Sequence, residues 1–192
     1  VHSNGDGLVA VAGYSNQSID GQPVGSGGFV SLFDSNTGEK LWTRMNSEGV
    51  KPVYVTEDGD VFIAGVTRSP LDGETESTDS NIYVSKYNTQ GIEQWTVTHG
   101  TAGSDSPRNF AQDGKGDLLL LGNTTGYVEG HSNNGGVDGL LFTINSDNGS
   151  LLNATQWGTT GNDGAVDLSV ANGAAYISGN TNGVFDGEEF SG

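Results

Sequence analysis

This 192-residue chain contains no cysteine, four prolines, one methionine and only seven lysines and arginines. Without cysteine there is no disulfide framework, and the C-x-x-C metal and redox signatures are excluded. Seven bases against 24 acids leave a formal charge of -17. That balance argues against nucleic acid, because a phosphate-binding surface needs clustered Lys and Arg. It disfavours an anionic membrane surface for the same reason. No apolar run approaches the roughly 20 residues needed to cross a bilayer. Val1 does not open a basic-then-apolar signal segment, so any targeting segment is expected outside this chain.

Glycine, by contrast, is abundant: 32 residues, well above the average share of about 7%. So many glycines imply many turns. The chain is 33% hydrophobic and 8% aromatic, enough for a lean packed core.

A repeat organises these turns. The stretches "VAGYSNQSIDG", "IAGVTRSPLDG", "LGNTTGYVEG" and "SGNTNGVFDG" share a glycine after an apolar run, then an apolar residue, an acid and a second glycine. The leading glycines are Gly13, Gly65, Gly122 and Gly179, and the acids are Asp20, Asp72, Glu129 and Asp186. Both series advance by 52, 57 and 57 residues. Two independent markers in one register define a repeat, and a period near fifty residues points to an array of small supersecondary units, propellers among them. A glycine that recurs in all four copies is expected to hold a backbone position no branched side chain tolerates. Gly122→Val is therefore expected to be far more damaging than Gly126→Val.

Period and turn signals predict strands and almost no helix. "GFVSLF", "NIYVSKY" and "GLLFTI" form one strand type, joined across turns carrying Gly38, Gly91 and Gly149 to "KLWTRM", "IEQWTVTH" and "LLNATQW". "PVYVT", "RNFAQ" and "AVDLSV" follow. They run through Asp58-Gly59, Asp113-Gly114 and Asn172-Gly173 into "DVFIAG", "DLLLLG" and "AAYISG", with "GLVAVAG" as an N-terminal copy. Asx-Gly between apolar runs is a strong hairpin signal. This gives thirteen strands, four per repeat, and the expected fold is all-β. Antiparallel four-stranded blades of a β-propeller are expected, about three plus a partial one. A partial blade covers 1–27 and repeats fall near 28–80, 81–137 and 138–192. The chain reads as starting inside a strand and stopping where another strand would begin, as a window on a longer polypeptide.

The stretches "GFVSLFDSNTGEKLWT", "NIYVSKYNTQGIEQWTVTHGTAGSDSPRNFAQDGKGDLLLLGNTTG" and "GNTNGVFDG" resemble the bacterial seven-bladed propeller repeat known as SBBP over essentially the whole chain. The leading acid of that family's first strand is kept only as Asp138, with Asn81 and Gly27 at the matching places. Its G-x-x-G-x-D turn survives as Gly100–Asp105 and Gly158–Asp163 but is lost in "MNSEGV". The resemblance implies an exported bacterial protein, secreted or at the cell surface. It also implies that the strand after this turn is innermost, placing Asp105 and Asp163 near the mouth of a central channel. "DSNTGEKLWTR" separately resembles the TGxxLW repeat of pyrroloquinoline quinone dehydrogenases, where the tryptophan docks neighbouring blades, so Trp42 reads as structural.

The chemistry-bearing residues are sparse. The histidines are His2, His99 and His131; His99 takes the place of Trp157 in the next repeat and reads as strand-end packing, His131 as a solvated loop residue. No nucleophile, base and acid are lined up for a hydrolytic triad. The loops 72–81 and 129–139 gather carboxylate and amide oxygens with glycine freedom, a ligand set that suits calcium. Asp72, Asp79, Glu129 and Asp138 are the expected calcium ligands, against the plainer reading that the repeated acids shape their own turns. Ile19, Leu71, Val128 and Phe185 are expected to tuck these loops against the sheet edge. Asn16, Asn123, Asn148 and Asn153 head Asn-x-Ser/Thr triplets.

Together these residues predict a non-catalytic propeller segment, a structural and interaction module whose partners are further blades of the same polypeptide or another chain. A calcium-dependent carbohydrate-binding or adhesive module is one alternative. An enzyme whose active site lies in blades outside this chain is the other.

Overall fold

The computed structural model describes residues 1–21, 27–70, 78–133 and 135–185. Among them the protein is all-β, with fourteen strands in four antiparallel sheets. The first sheet runs in the order β1 (His2–Ser3), β2 (Leu8–Ser15), β3 (Gly27–Asp34), β4 (Lys40–Asn46). The second is β5 (Val53–Val55), β6 (Val61–Thr67), β7 (Asn81–Tyr87), β8 (Glu93–His99). The third is β9 (Asp105–Gln112), β10 (Leu118–Thr124), β11 (Asp138–Ile144), β12 (Leu151–Trp157). The fourth pairs β13 (Asp163–Ala171) with β14 (Ala174–Thr181). Neighbours in sequence are neighbours in each sheet, so every sheet is a meander.

The sequence repeat and the sheet are out of phase by two strands. A repeat beginning at residue 81 contributes β7 and β8 to one sheet and β9 and β10 to the next. The inner strands explain why the apolar runs are continuous rather than alternating. β10 is buried along its whole length and β6 at all but one position, as expected for strands covered on both faces. The outer strands are far less covered: β8 has no buried residue and β12 only one.

The chain forms two compact units: Val1–Thr67 with Tyr83–Val97, and Arg68–Ile82 with the chain from Thr98 onward. In the first, Ala10, Val30, Leu32 and Trp42 of one sheet pack with Val53, Val55, Val61 and Ile63 of the other. In the second, Ala111, Leu119 and Leu121 pack with Ala165 and Leu168.

The turns follow their residues. Gly38, Gly91 and Gly149 all adopt positive φ, at 74°, 70° and 77°. Asn172 and Gly173, at 53° and 74°, are both left-handed, the requirement of the two-residue hairpin turn. The expected turn at Asp113-Gly114 lies two residues further on. The left-handed residue is Gly116, at 91°, and its amide donates to the Asp113 carbonyl at 3.1 Å.

In its third and fourth copies, Gly122 and Gly179, the repeated glycine marks a β-bulge. Arg108 is the extra residue opposite Leu121 and Gly122, and Val166 the extra residue opposite Ser178 and Gly179. Each bulge turns a carbonyl toward the glycine: a Cβ on Gly122 would lie 2.9 Å from the Ser106 oxygen, and one on Gly179 closer still to the Gly164 oxygen. Gly126 is no less confined, because its Cβ would run into the Gly103 amide and the Thr101 hydroxyl. The space around these two glycines therefore gives no basis for ranking Gly122 above Gly126.

Candidate functional site

The surviving G-x-x-G-x-D turn builds the same polar knot twice in the second unit. In the first copy the Thr101 amide donates to Asp105 Oδ2 at 2.7 Å and its hydroxyl to Oδ1 at 2.9 Å. Thr101 Oγ1 also lies 2.7 Å from Thr124 Oγ1 and accepts from the Gly103 amide at 3.2 Å. The Asp105 amide donates to the Ser80 carbonyl at 2.6 Å, just ahead of β7. In the second copy the Thr159 amide reaches Asp163 Oδ2 at 2.6 Å and its hydroxyl lies 3.0 Å from that oxygen. The Gly161 amide donates to Thr159 Oγ1 at 3.0 Å, and the Asp163 amide to the Val137 carbonyl at 2.6 Å, just ahead of β11.

The leading glycine of the turn has a specific reason to be glycine. A Cβ on Gly100 would lie 2.5 Å from Asn81 Oδ1 and 2.7 Å from Asp105 Oδ2. A Cβ on Gly158 would collide with Asp138 Oδ1 and lie 3.2 Å from Asp163 Oδ2. The strand-leading residue, Asn81 or Asp138, therefore closes the knot from the other side. Both aspartates are sealed, Asp105 at 2% exposure and Asp163 at 3%. Buried carboxylates that accept several donors are satisfied groups; here they tie one hairpin to the start of the next.

Their protonation differs. Burial pushes the Asp105 carboxyl above its ordinary range, and the Asp79 charge adds to this, outweighing the donors at Thr124 and Thr101. At Asp163 burial also pushes upward, but the hydrogen bonds from Thr181 and Thr159 prevail and hold the carboxyl below its ordinary range. The neighbouring β14 is exposed almost throughout, so although desolvation is the largest single effect at Asp163, the hydrogen bonds together outweigh it.

Of the expected calcium ligands, Asp79, Glu129 and Asp138 lie among the described residues. Asp72 lies outside the described residues, as do Leu71 and Asp186. Asp138 is fully buried, with Gln156 Nε2 donating to its Oδ2 at 2.8 Å. Glu129 is exposed, and Asp79 is half-buried and accepts from Thr78 at 3.3 Å. Among the described residues no three His, Cys, Asp or Glu form a group able to hold a metal ion. Asp20 has φ of 57° and accepts from Lys40 Nζ at 2.5 Å, a bond that, with Thr43, lowers its carboxyl.

Of the repeated apolar residues, Ile19 and Val128 are half-buried, while Phe185 is 44% exposed and lines a smaller cleft of about 220 Å³ beside Asp163. His99 packs on Phe142 with ring centroids 5.9 Å apart and lies 2.9 Å from the Gly149 carbonyl through Nε2, a strand-end packing role. Asn123 is buried and accepts from the Ala165 amide at 2.8 Å, so it is no glycan acceptor in the folded chain.

Sequence reading passed over Arg44 as a docking residue. In the first unit Trp42 Nε1 donates to the Thr89 carbonyl at 3.0 Å, and Arg44 donates to the carbonyls of Gly91 and Gln90 at 2.6 and 3.2 Å. The guanidinium also stands 5.6 Å above the Trp42 ring. An aromatic followed two residues later by a cation on an outer strand was the available signal. Together these two side chains clamp the β7–β8 turn of the following sheet. Gly91 has no room for a side chain there, since a Cβ would sit 2.7 Å from the indole. The equivalent Gly38 faces nothing within 4 Å among the described residues.

No family model matches the chain. It is similar to the regulatory protein FlaEY of Caulobacter vibrioides, 29% identical over a 192-residue alignment covering 89% of this chain. The chain spans 20% of that protein's length.

Proposed function

We propose that the chain is a run of β-propeller blades of the SBBP type, serving as a non-catalytic structural and interaction module of a larger bacterial protein, secreted or at the cell surface. The observation that carries this reading is the clamp of Trp42 and Arg44 on the turn at Thr89–Gly91. It couples the outer strand of one four-stranded meander to the next, which is how radially repeated sheets cover one another. The turn at Gly38, where a Cβ would meet nothing within 4 Å among the described residues, could receive the same contact from another sheet, and the exposed β14 could pair with a further strand. Further blades, from the same polypeptide or a second chain, are the partners that fit both places. The size of FlaEY relative to the matched stretch agrees with a module inside a longer protein. A regulatory role of the kind its name gives would be exercised here through binding.

Size-exclusion chromatography with light scattering on the 192-residue chain tests the reading. Uncovered sheet edges and faces promote association, so oligomers or aggregates are expected. A stable monomer with one cooperative unfolding transition would overturn it in favour of a self-capped stack.

A further inference from the structure

The second unit carries a cleft of about 450 Å³ between the Gly100–Ala102 turn and the loop that follows β10. Its floor is apolar, made by Phe142, Leu151 and Ala154, and Tyr127 stands at its side with 56% of its surface exposed. Glu129 and His131, both exposed, complete the rim. We infer that this cleft binds a neutral saccharide.

Three observations select that class of ligand. A pyranose presents an apolar C–H face and a hydroxyl edge, matching an apolar floor beside an aromatic ring with polar groups confined to the rim. The rim offers a carboxylate that only accepts, together with an imidazole and a phenol that can each donate and accept. Hydroxyl groups, donor and acceptor at once, satisfy all three, whereas a cation would use Glu129 and the Tyr127 ring face and leave the imidazole and the phenol hydroxyl without a role. An anion would meet Glu129 and a chain charge of -17.

The loop is also fixed before any ligand arrives. Buried Gln156 accepts from the Val128 amide at 2.9 Å and donates to the Gly126 carbonyl at 3.0 Å. The His131 amide donates to the Val128 carbonyl at 2.9 Å, and Asn133 Nδ2 to the Thr125 carbonyl at 2.7 Å. A wall held in this way loses little conformational entropy on binding. Thr101 is not a ligand-binding group, because its hydroxyl is already committed to Asp105 and Thr124. The cleft lies within one unit, so its occupancy does not depend on the blade arrangement.

Saturation-transfer difference spectra, which read the sugar and tolerate oligomers, test the inference on the full chain in EDTA, with methyl glycosides of glucose, galactose, mannose and N-acetylglucosamine, cellobiose, and choline chloride as the cationic control. At least one sugar should give saturable transfer, with a dissociation constant on the order of 1 mM. Tyr127→Ala, at an exposed position, should weaken that affinity about tenfold or more and Glu129→Gln severalfold. An unchanged thermal unfolding curve serves as the check on folding of each variant. No saturable transfer with any sugar, binding of choline alone, or equal binding by Tyr127→Ala would each overturn it.

Discussion

Asp105 and Asp163 occupy the same place in successive copies of one turn, each accepting from the amide and hydroxyl of a threonine four residues earlier, yet their carboxyls are displaced in opposite directions. Identical local chemistry is overruled by what lies beyond the hydrogen bonds: deep cover and the Asp79 charge on one side, the exposed β14 on the other.

The two groups therefore carry opposite pH dependences. A carboxyl whose folded value is raised stabilises the fold at low pH, and that contribution is lost as pH rises through its folded value; a depressed one contributes above the unfolded value and fades as pH falls through its own. Asp105→Asn should accordingly compare better with the parent at about pH 7 than at about pH 3, and Asp163→Asn worse. Urea midpoints of both variants across that range check the signs. Parallel curves for the two variants would refute the assignment.

Gly126→Ala should destabilise at least as much as Gly122→Ala, by about 1–3 kcal/mol. The Cβ at residue 126 meets the Gly103 amide and Thr101 hydroxyl of the knot, whereas at residue 122 it meets one carbonyl at 2.9 Å. Denaturant midpoints decide the order, and a harmless Gly126→Ala would mean the knot is looser than described.

Trp42→Phe should cost about 1–3 kcal/mol, since it strips the donor from the Thr89 carbonyl. Trp95→Phe is the control. Trp95 lies 5.8 Å from Phe62 by ring centroids, and its buried Nε1 has no hydrogen-bond partner among the described residues. Removing that nitrogen should be neutral or stabilising. Equal losses in thermal unfolding would dissolve the distinction between the two indoles.

At the β9–β10 turn, Gly116→Ala should lose about 1 kcal/mol because its φ is 91°, while Gly114→Ala should gain or hold stability. The Cβ added at Gly114 meets nothing within 4 Å. Chemical denaturation of the pair resolves the matter, and the reverse order would place the turn back at Asp113-Gly114.

The strand content was legible because glycine punctuates it. "NIYVSKY" and "LLNATQW" coincide with β7 and β12 to the residue. β9 begins three residues ahead of the expected "RNFAQ", since Asp105, Ser106 and Pro107 look like turn formers until Asp105 is seen closing its knot. The two-residue β1 is too short to leave a periodic signal. Which hairpins share a sheet was not legible, because periodicity describes each strand and says nothing of the pairing across a loop. Asp105 and Asp163 stood out through their motif, but their opposed protonation depends on cover supplied by distant residues. The saccharide cleft was invisible for a related reason: its floor comes from β11 and β12 and its walls from residues 100–102 and 127–131.

The clamp of Trp42 and Arg44 on the turn of the following sheet is directional. The surface that gives the indole differs from the surface that receives it, and within this chain the two are already engaged with one another. Sheets joined in this way follow one another in a single direction, and a one-directional series has two outcomes: a closed ring if the rotation per step divides a full turn, or an open array if it does not.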